Sequence, residues 1–312
     1  MPSRAAVVYS PDYVCDIGPH VFPVVKFRLL RDRLVEEGDV GAAELLEPRP
    51  APRVDLLLVH TPEYLEDLEQ LRLTPRTLFS ELPLDASIVR AYVLAAGGTT
   101  LAAREALVRG AGINLGGGFH HAGSDRAEGF CYINDLAVAA RVLQRDAGVG
   151  RVAVVDLDVH QGNGTAQVFA GDDSVLTLSM HQENNYPMPK ARSRLDVGLA
   201  DQTGDNEYLA RLAEALESVW AFQPGIVLYQ AGADPFRDDQ LGGLALTHAG
   251  LEARDRWVIE GCAGRGIPVA VTLGGGYARQ LEDTLRIHLR TCRLALALGV
   301  EPARGAGAGQ PA

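Results

Sequence analysis

Short apolar runs, each followed by a longer stretch of helical periodicity, recur along the whole chain and restrict its fold more than any other feature. The runs fall at residues 5–9, 55–60, 112–115, 152–157, 175–180, 226–230 and 268–273. Helix-period segments lie between them at 24–37, 63–71, 86–108, 136–147, 207–222, 250–261 and 280–298. Several runs are apolar throughout rather than alternating, as strands must be when helices cover both faces of a parallel sheet. The pattern predicts α/β architecture: one doubly wound, mostly parallel sheet with helices on both faces. The domain is expected over residues 1–300, with the Gly-, Ala- and Pro-biased stretch 301–312 as a disordered tail. No internal repeat or dividing linker interrupts it, and the Pro-rich piece 47–53 reads as a surface loop.

In open α/β sheets, ligands bind beyond the carboxyl ends of the strands. Five runs here end in polar clusters: Gly116-Gly117-Gly118-Phe119-His120-His121, Asp156-Leu157-Asp158-Val159-His160-Gln161-Gly162-Asn163, Ser179-Met180-His181, Ala231-Gly232-Ala233-Asp234 and Gly274-Gly275-Gly276-Tyr277. One cluster is ordinary loop chemistry, but five at one edge mark an active site. At strand period two, Asp156, Asp158 and His160 project to the same side, so carboxylate and imidazole can converge on one cation. Isolated, such a triplet could equally cap the following helix. Oxygen and nitrogen donors without thiolate suit Zn²⁺ or another first-row divalent ion, and Asp234 is the candidate third ligand, leaving a position open for water.

His120 and His121 cannot both point one way along an extended chain, yet a loop lets both line a pocket. Paired imidazoles beside an activated water offer a general base and a general acid. Alone, a His-His pair is equally two ordinary loop residues. The glycine runs do not make a dinucleotide loop, because the Gly-x-Gly-x-x-Gly order is unmet and His120-His121 stand where its helix should begin. Gly274–Gly276 reads instead as backbone closely approaching a pocket, with the Tyr277 phenol at its rim or, equally, packed in the core.

Lys+Arg 29 against Asp+Glu 40 leaves a formal charge of −11, which disfavours a nucleic-acid-binding surface. Cys15, Cys131, Cys262 and Cys292 are far apart, without zinc-ribbon or disulfide spacing, so a reducing compartment is expected. The first residues carry no apolar signal region, and the charge-free stretch 110–124 is too short to span a bilayer. A cytoplasmic chain without membrane partners is the expectation; the oligomeric state is left open.

The motifs GGGFHHA, GFCYINDLAVAA, VVDLDVHQGNGTAQVF, YQAGADPFRDDQLGGLALT and LGGGY, in this order, resemble those of the histone deacetylase superfamily, over residues 9–298. His181-Gln182-Glu183-Asn184-Asn185-Tyr186-Pro187 is most similar to the class IV deacetylases and their bacterial relatives. The resemblance implies an arginase-like α/β fold and Zn²⁺-dependent hydrolysis of an N-acyl amide, with Fe²⁺ acceptable to the same donors. By motif, Asp158, His160 and Asp234 would hold the metal, and His120 and His121 would form the acid/base pair. Asp156 would orient His120. Tyr277 would donate to the substrate carbonyl and then to the oxyanion. A structural K⁺ would take backbone carbonyls of Asp156, Asp158, His160 and Met180 and the Ser179 hydroxyl. Gly129 and Phe130 would wall the acyl tunnel, with Tyr186 opposite and Gly275 beside it. Asn163 stands where many members have a carboxylate behind the second histidine; a neutral amide orients the ring but stabilises imidazolium less.

The expected substrate is therefore an acylated lysine in a peptide or protein, or a small acylated amine, the alternative being an acetylpolyamine amidohydrolase. A dimanganese ureohydrolase would need a further bridging carboxylate where position 162 is glycine. A non-catalytic acyl-amine binder would have no use for the complete acid/base and phenol set.

Overall fold

Seven strands pair in parallel in the spatial order β1-β2-β7-β6-β3-β4-β5. They are β1 Ala6–Val8, β2 Ala111–Asn114, β3 Val152–Asp156, β4 Val175–Gln182, β5 Leu195–Leu199, β6 Ile226–Gln230 and β7 Val269–Thr272. This computed structural model describes residues 5–298, so the expected tail at 301–312 lies outside the described residues. The α-helices are α1 Lys26–Glu36, α2 Arg53–Leu56, α3 Pro62–Glu69, α4 Ala86–Arg109, α5 Asp135–Asp146, α6 Asn163–Val168, α7 Asp205–Phe222, α8 His248–Ala263 and α9 Leu281–Ala297.

Every residue of β2, β3, β4, β6 and β7 is buried, which explains why β3, β6 and β7 are apolar almost throughout, while β4 buries Thr177, Ser179 and His181 in alternation with Leu176, Leu178 and Met180. Strand β5 was not expected. It lies at the sheet edge, where Asp196 and Gly198 are exposed between buried Val197 and Leu199, so only half of its residues carry the apolar signal. Helix α4 is long and apolar enough, by length and composition, to cross a membrane, but it packs instead on the sheet and on α5. Its start and stop are local: Asp85 accepts a hydrogen bond from the Ser87 N–H, and Gly110 takes a left-handed conformation at φ +86°.

The strand expected at 55–60 is not one. Residues 53–56 form the short helix α2, and the turns that follow continue the i→i+3 and i→i+4 pattern up to His60. Leu56, Val59 and His60 are buried, at helical rather than alternating spacing. A run of six residues is too short for periodicity to separate the two cases, and Pro52 in front favoured the helix start.

His60 illustrates what this packing costs in acid. Its Nε2 accepts from the Asn134 backbone N–H at 3.2 Å, and burial lowers its pKa to about 4. The folded value lies below the ordinary 6.5, so the stabilisation is complete above that pH and is lost as the pH falls towards 4, by up to about 3 kcal/mol. Urea unfolding of wild type and His60→Gln at pH 7 and 4.5 should therefore show the smaller loss in the variant. Equal losses would remove His60 from the account.

Candidate active site

The clusters seen in the sequence leave the sheet from β2, β7, β6, β3 and β4, five strands that are contiguous in space although not in sequence. Asp158, His160 and Asp234 meet there, each offering one ligand atom within 4.8 Å of the others and all three buried. Strand period does not bring them together, because β3 ends at Asp156 and Asp158 and His160 lie in the loop beyond it. Asp158 instead folds back on its own turn, accepting from the His160 N–H at 3.0 Å and facing His160 Nδ1 at 3.0 Å. The Gly275 N–H donates to its other oxygen at 3.0 Å, and Asp234 Oδ1 accepts from the Val159 N–H at 2.9 Å.

Asp234 Oδ2 is buried and, among the described residues, faces only His160 Nδ1, at 3.4 Å and without hydrogen-bond geometry. Burial and the neighbouring Asp158 raise the Asp234 pKa to about 7. Burial alone would depress His160, but Asp158 and Asp234 outweigh it and lift the imidazole to about 10. Two buried carboxylates facing one imidazole, with an oxygen left over, form a donor set that fits a divalent cation.

The acid/base candidates stand beside this group with their ring centroids 4.0 Å apart. His120 Nδ1 lies 2.6 Å from Asp156 Oδ2, and its Nε2 lies 3.8 Å from Asp158 Oδ1. Burial is outweighed by the Asp156 and Asp158 carboxylates, so His120 is raised to about 9. His121 Nδ1 lies 2.6 Å from Asn163 Oδ1; burial, with His120 and His160 nearby, holds its pKa well below 6.5. The two neighbouring histidines thus differ sharply in basicity, because one faces a carboxylate and the other an amide. Asn134, the N-cap of α5, holds the loop that carries them: its amide donates to the Ala122 carbonyl and the Thr165 hydroxyl, both at 3.1 Å.

A cavity of about 190 Å³ opens over these groups, lined by Glu81, His121, Gly129, Phe130, His160, Asn185, Tyr186, Leu241 and Tyr277. Tyr277 comes from the β7 loop; burial raises its phenol well above 10, so it is a hydrogen-bond donor at neutral pH. Its backbone N–H donates to Asp239 Oδ2 at 2.7 Å. Phe130 has φ +63°, a strained setting for a bulky side chain. It is held by Tyr92, whose hydroxyl donates to its carbonyl at 2.5 Å, and by its own N–H on the Ser80 carbonyl.

Gly275 is not among the residues lining the 190 Å³ cavity; with Gly129, Phe130, Asp158 and Tyr277 it borders a second cavity of about 20 Å³. A Cβ there would fall 1.9 Å from Asp234 Oδ2 and 2.6 Å from Asp158 Oδ2, so Gly275 is required by the close approach of backbone to the carboxylates. Gly275→Ala is expected to weaken metal binding about tenfold or more while the protein still folds; metal content after dialysis checks this, and a full complement would contradict it. Asp156 and Ser179 are register partners on β3 and β4, and the Ser179 hydroxyl lies 3.0 Å from His181 Nδ1. Met180 is the next residue of β4 and is fully buried.

Several residues of the site carry no signal in the sequence. Lys26, on α1, is wholly buried, donates to the Gly274 carbonyl at 2.5 Å, and is lowered to about 8 by burial. Arg254, on α8, donates to the Leu157 carbonyl at 3.2 Å and the Gly232 carbonyl at 2.6 Å, tying together the two loops that carry Asp158 and Asp234. Glu128 accepts from the Asn163 amide at 2.6 Å and the Tyr186 hydroxyl at 3.1 Å.

Comparison with known proteins places this arrangement. A family model described as "Histone deacetylase domain" matches residues 20–292. The chain is 44% identical over 285 residues to an uncharacterized protein of Picosynechococcus, covering 90% of this chain and 95% of that one. It is 33% identical over 302 residues to Histone deacetylase 2 of Arabidopsis thaliana, covering 91% of this chain and 78% of that one. The structure of an HDAC homolog from Aquifex aeolicus superposes with a TM-score of 0.82 at 29% identity, covering 94% of this chain and 84% of the other. The chain belongs to the histone deacetylase family.

Proposed function

We propose that the protein is a zinc-dependent deacetylase that hydrolyses an N-acylated amine. The observation that carries this reading is the convergence, at one 190 Å³ cavity, of a neutral His121, the Tyr277 phenol and His160 of the buried Asp158–His160–Asp234 group. A divalent ion held by that group supplies Lewis-acid polarisation of a carbonyl and a water of lowered pKa. The cavity holds the acyl-amine chain between Phe130 and Tyr186. His121 Nδ1 faces Asn163 Oδ1, and with its proton on Nδ1 the ring keeps Nε2 to take the proton of the attacking water and return it to the departing nitrogen. His120, charged at neutral pH by its Asp156 partner, contributes positive potential where negative charge develops. The Tyr277 hydroxyl donates to the substrate oxygen most strongly as it becomes an oxyanion.

Ligand chemistry favours Zn²⁺, and the same oxygen and nitrogen donors accept Fe²⁺. A structural K⁺ on the carbonyls of Asp156, Asp158, His160 and Met180 with the Ser179 hydroxyl belongs to the same reading. The substrate is an acyl-lysine peptide or a small acylated amine; the formal charge of −11 and Glu81 at the cavity both suit a cationic partner. The free cysteines fit a reducing cytoplasm.

A hydrolysis panel crossing acyl length with amine type, including acetyl-polyamines and acyl-lysine peptides, tests the function. Activity should vanish on chelation and return with Zn²⁺ or Fe²⁺, whose relative rates identify the better metal. Tight binding of acyl-amines by metal-loaded protein without turnover would overturn the reading.

A further inference from the structure

We propose that Glu128 is a positioning residue that sets the proton arrangement of His121 through Asn163. The inference rests on the deacetylase reading for its kinetic consequence but not for its geometry. His121 Nδ1 faces Asn163 Oδ1 at 2.6 Å, and Asn163 Nδ2 faces Glu128 Oε1 at 2.6 Å. An amide can turn either end towards an imidazole, and its two ends impose opposite tautomers. If Oδ1 faces the ring, Nδ1 must carry the proton and Nε2 is free to accept one. If the NH₂ faces the ring, Nδ1 must be the acceptor, the proton sits on Nε2, and the imidazole cannot act as a base towards the cavity. Asn163 alone does not decide between these.

Glu128 decides it. A carboxylate accepts hydrogen bonds and donates none, so the end of Asn163 that faces it must be the NH₂. The opposite end, Oδ1, is then presented to His121. Arg126 Nε donates to the second carboxylate oxygen at 3.3 Å, which keeps Glu128 oriented. The same Oε1 accepts from the Tyr186 hydroxyl at 3.1 Å, so the tunnel wall and the base are fixed by one anchor. The carboxylate also polarises the amide, so that Oδ1 holds an imidazolium better than an unsupported amide would. A three-member chain, His121–Asn163–Glu128, thereby imposes the tautomer that a carboxylate directly behind the histidine would impose.

Selective ¹⁵N-histidine labelling of the zinc-loaded chain reads the tautomer directly, with His121 assigned by the signal missing in His121→Ala. Wild type should show the Nδ1–H form alone. In Glu128→Ala, the Nε2–H tautomer should become the major form and kcat should fall about tenfold, with KM moving less than threefold and zinc content unchanged. Glu128→Gln keeps an oxygen that can accept from Asn163, and should restore the single tautomer and most of kcat. A single Nδ1–H tautomer in Glu128→Ala with kcat within twofold of wild type overturns the proposal. So does a Glu128→Gln variant as impaired as the alanine. If wild type hydrolyses no acyl amide, it is the deacetylase reading that fails, and the tautomer measurement still decides the relay.

Discussion

Replacing Tyr277 by phenylalanine is expected to lower kcat about 10²- to 10³-fold, the loss typical of one oxyanion donor, or about 3–4 kcal/mol of transition-state stabilisation. The fold should be unaffected. Tyr277 is anchored by its backbone, through the N–H on Asp239 and the carbonyl that accepts from Gln240 Nε2 at 2.8 Å, and both remain in the variant. Burial keeps the phenol protonated at neutral pH, so wild type has a donor to lose. Metal content should be unchanged, because Tyr277 is not one of the three candidate ligands. Steady-state kinetics with metal analysis and thermal unfolding separate these effects. Undiminished turnover would exclude Tyr277 as the oxyanion donor, whereas loss of metal would reassign it to the metal group.

Arg254→Met should be the most destabilising of the substitutions considered, by about 3–5 kcal/mol. Arg254 and Asp255 are both fully buried and pair at 2.8 Å. Removing the guanidinium leaves the Asp255 carboxylate in the core with, among the described residues, the Tyr229 and Thr291 hydroxyls, each at 2.5 Å, to solvate it. The Arg254→Met/Asp255→Asn double variant removes the stranded charge and keeps an acceptor for those hydroxyls. It should recover more than half of the lost stability. The carbonyls of Leu157 and Gly232 also lose their donor, so the double variant should still bind metal about 10- to 100-fold more weakly. Urea unfolding and chelator competition measure the two effects apart. If the single variant unfolds at the wild-type midpoint, the pair contributes nothing to stability.

Much of the site was legible residue by residue. Asp156, Asp158, His160, His120, His121, Asp234 and Tyr277 could be singled out because polar groups follow directly on fully apolar runs, a short-range pattern that survives without knowledge of the fold. Glu128 and Arg254 could not. Glu128 is one carboxylate among forty acidic residues, and its partners Asn163 and Tyr186 lie 35 and 58 positions away. Arg254 shares its helix with the equally buried Asp255, and nothing local distinguishes it from Arg256, two residues on, which pairs with Glu252 and Glu260 at the surface. The difference at 55–60 has the same origin: a run of six residues, four of them apolar, does not contain enough period to tell a turn of helix from a strand.

The sequence by itself determined the parallel α/β architecture and the side chains that stand beyond its strand ends, because both follow from hydrophobic period and from strand-to-loop transitions a few residues long. Only the tertiary structure decided which of them meet. In the chain, the site segments come from β2, β3, β4, β6 and β7; in the sheet they stand in the order β2-β7-β6-β3-β4. That order sets the Asp234 loop beside the Asp158 loop and the Gly275–Tyr277 loop beside both the Asp234 loop and the loop of the histidine pair. Strand order is settled by which helix faces cover which strands, a competition among contacts far apart in sequence, and no local pattern records its outcome.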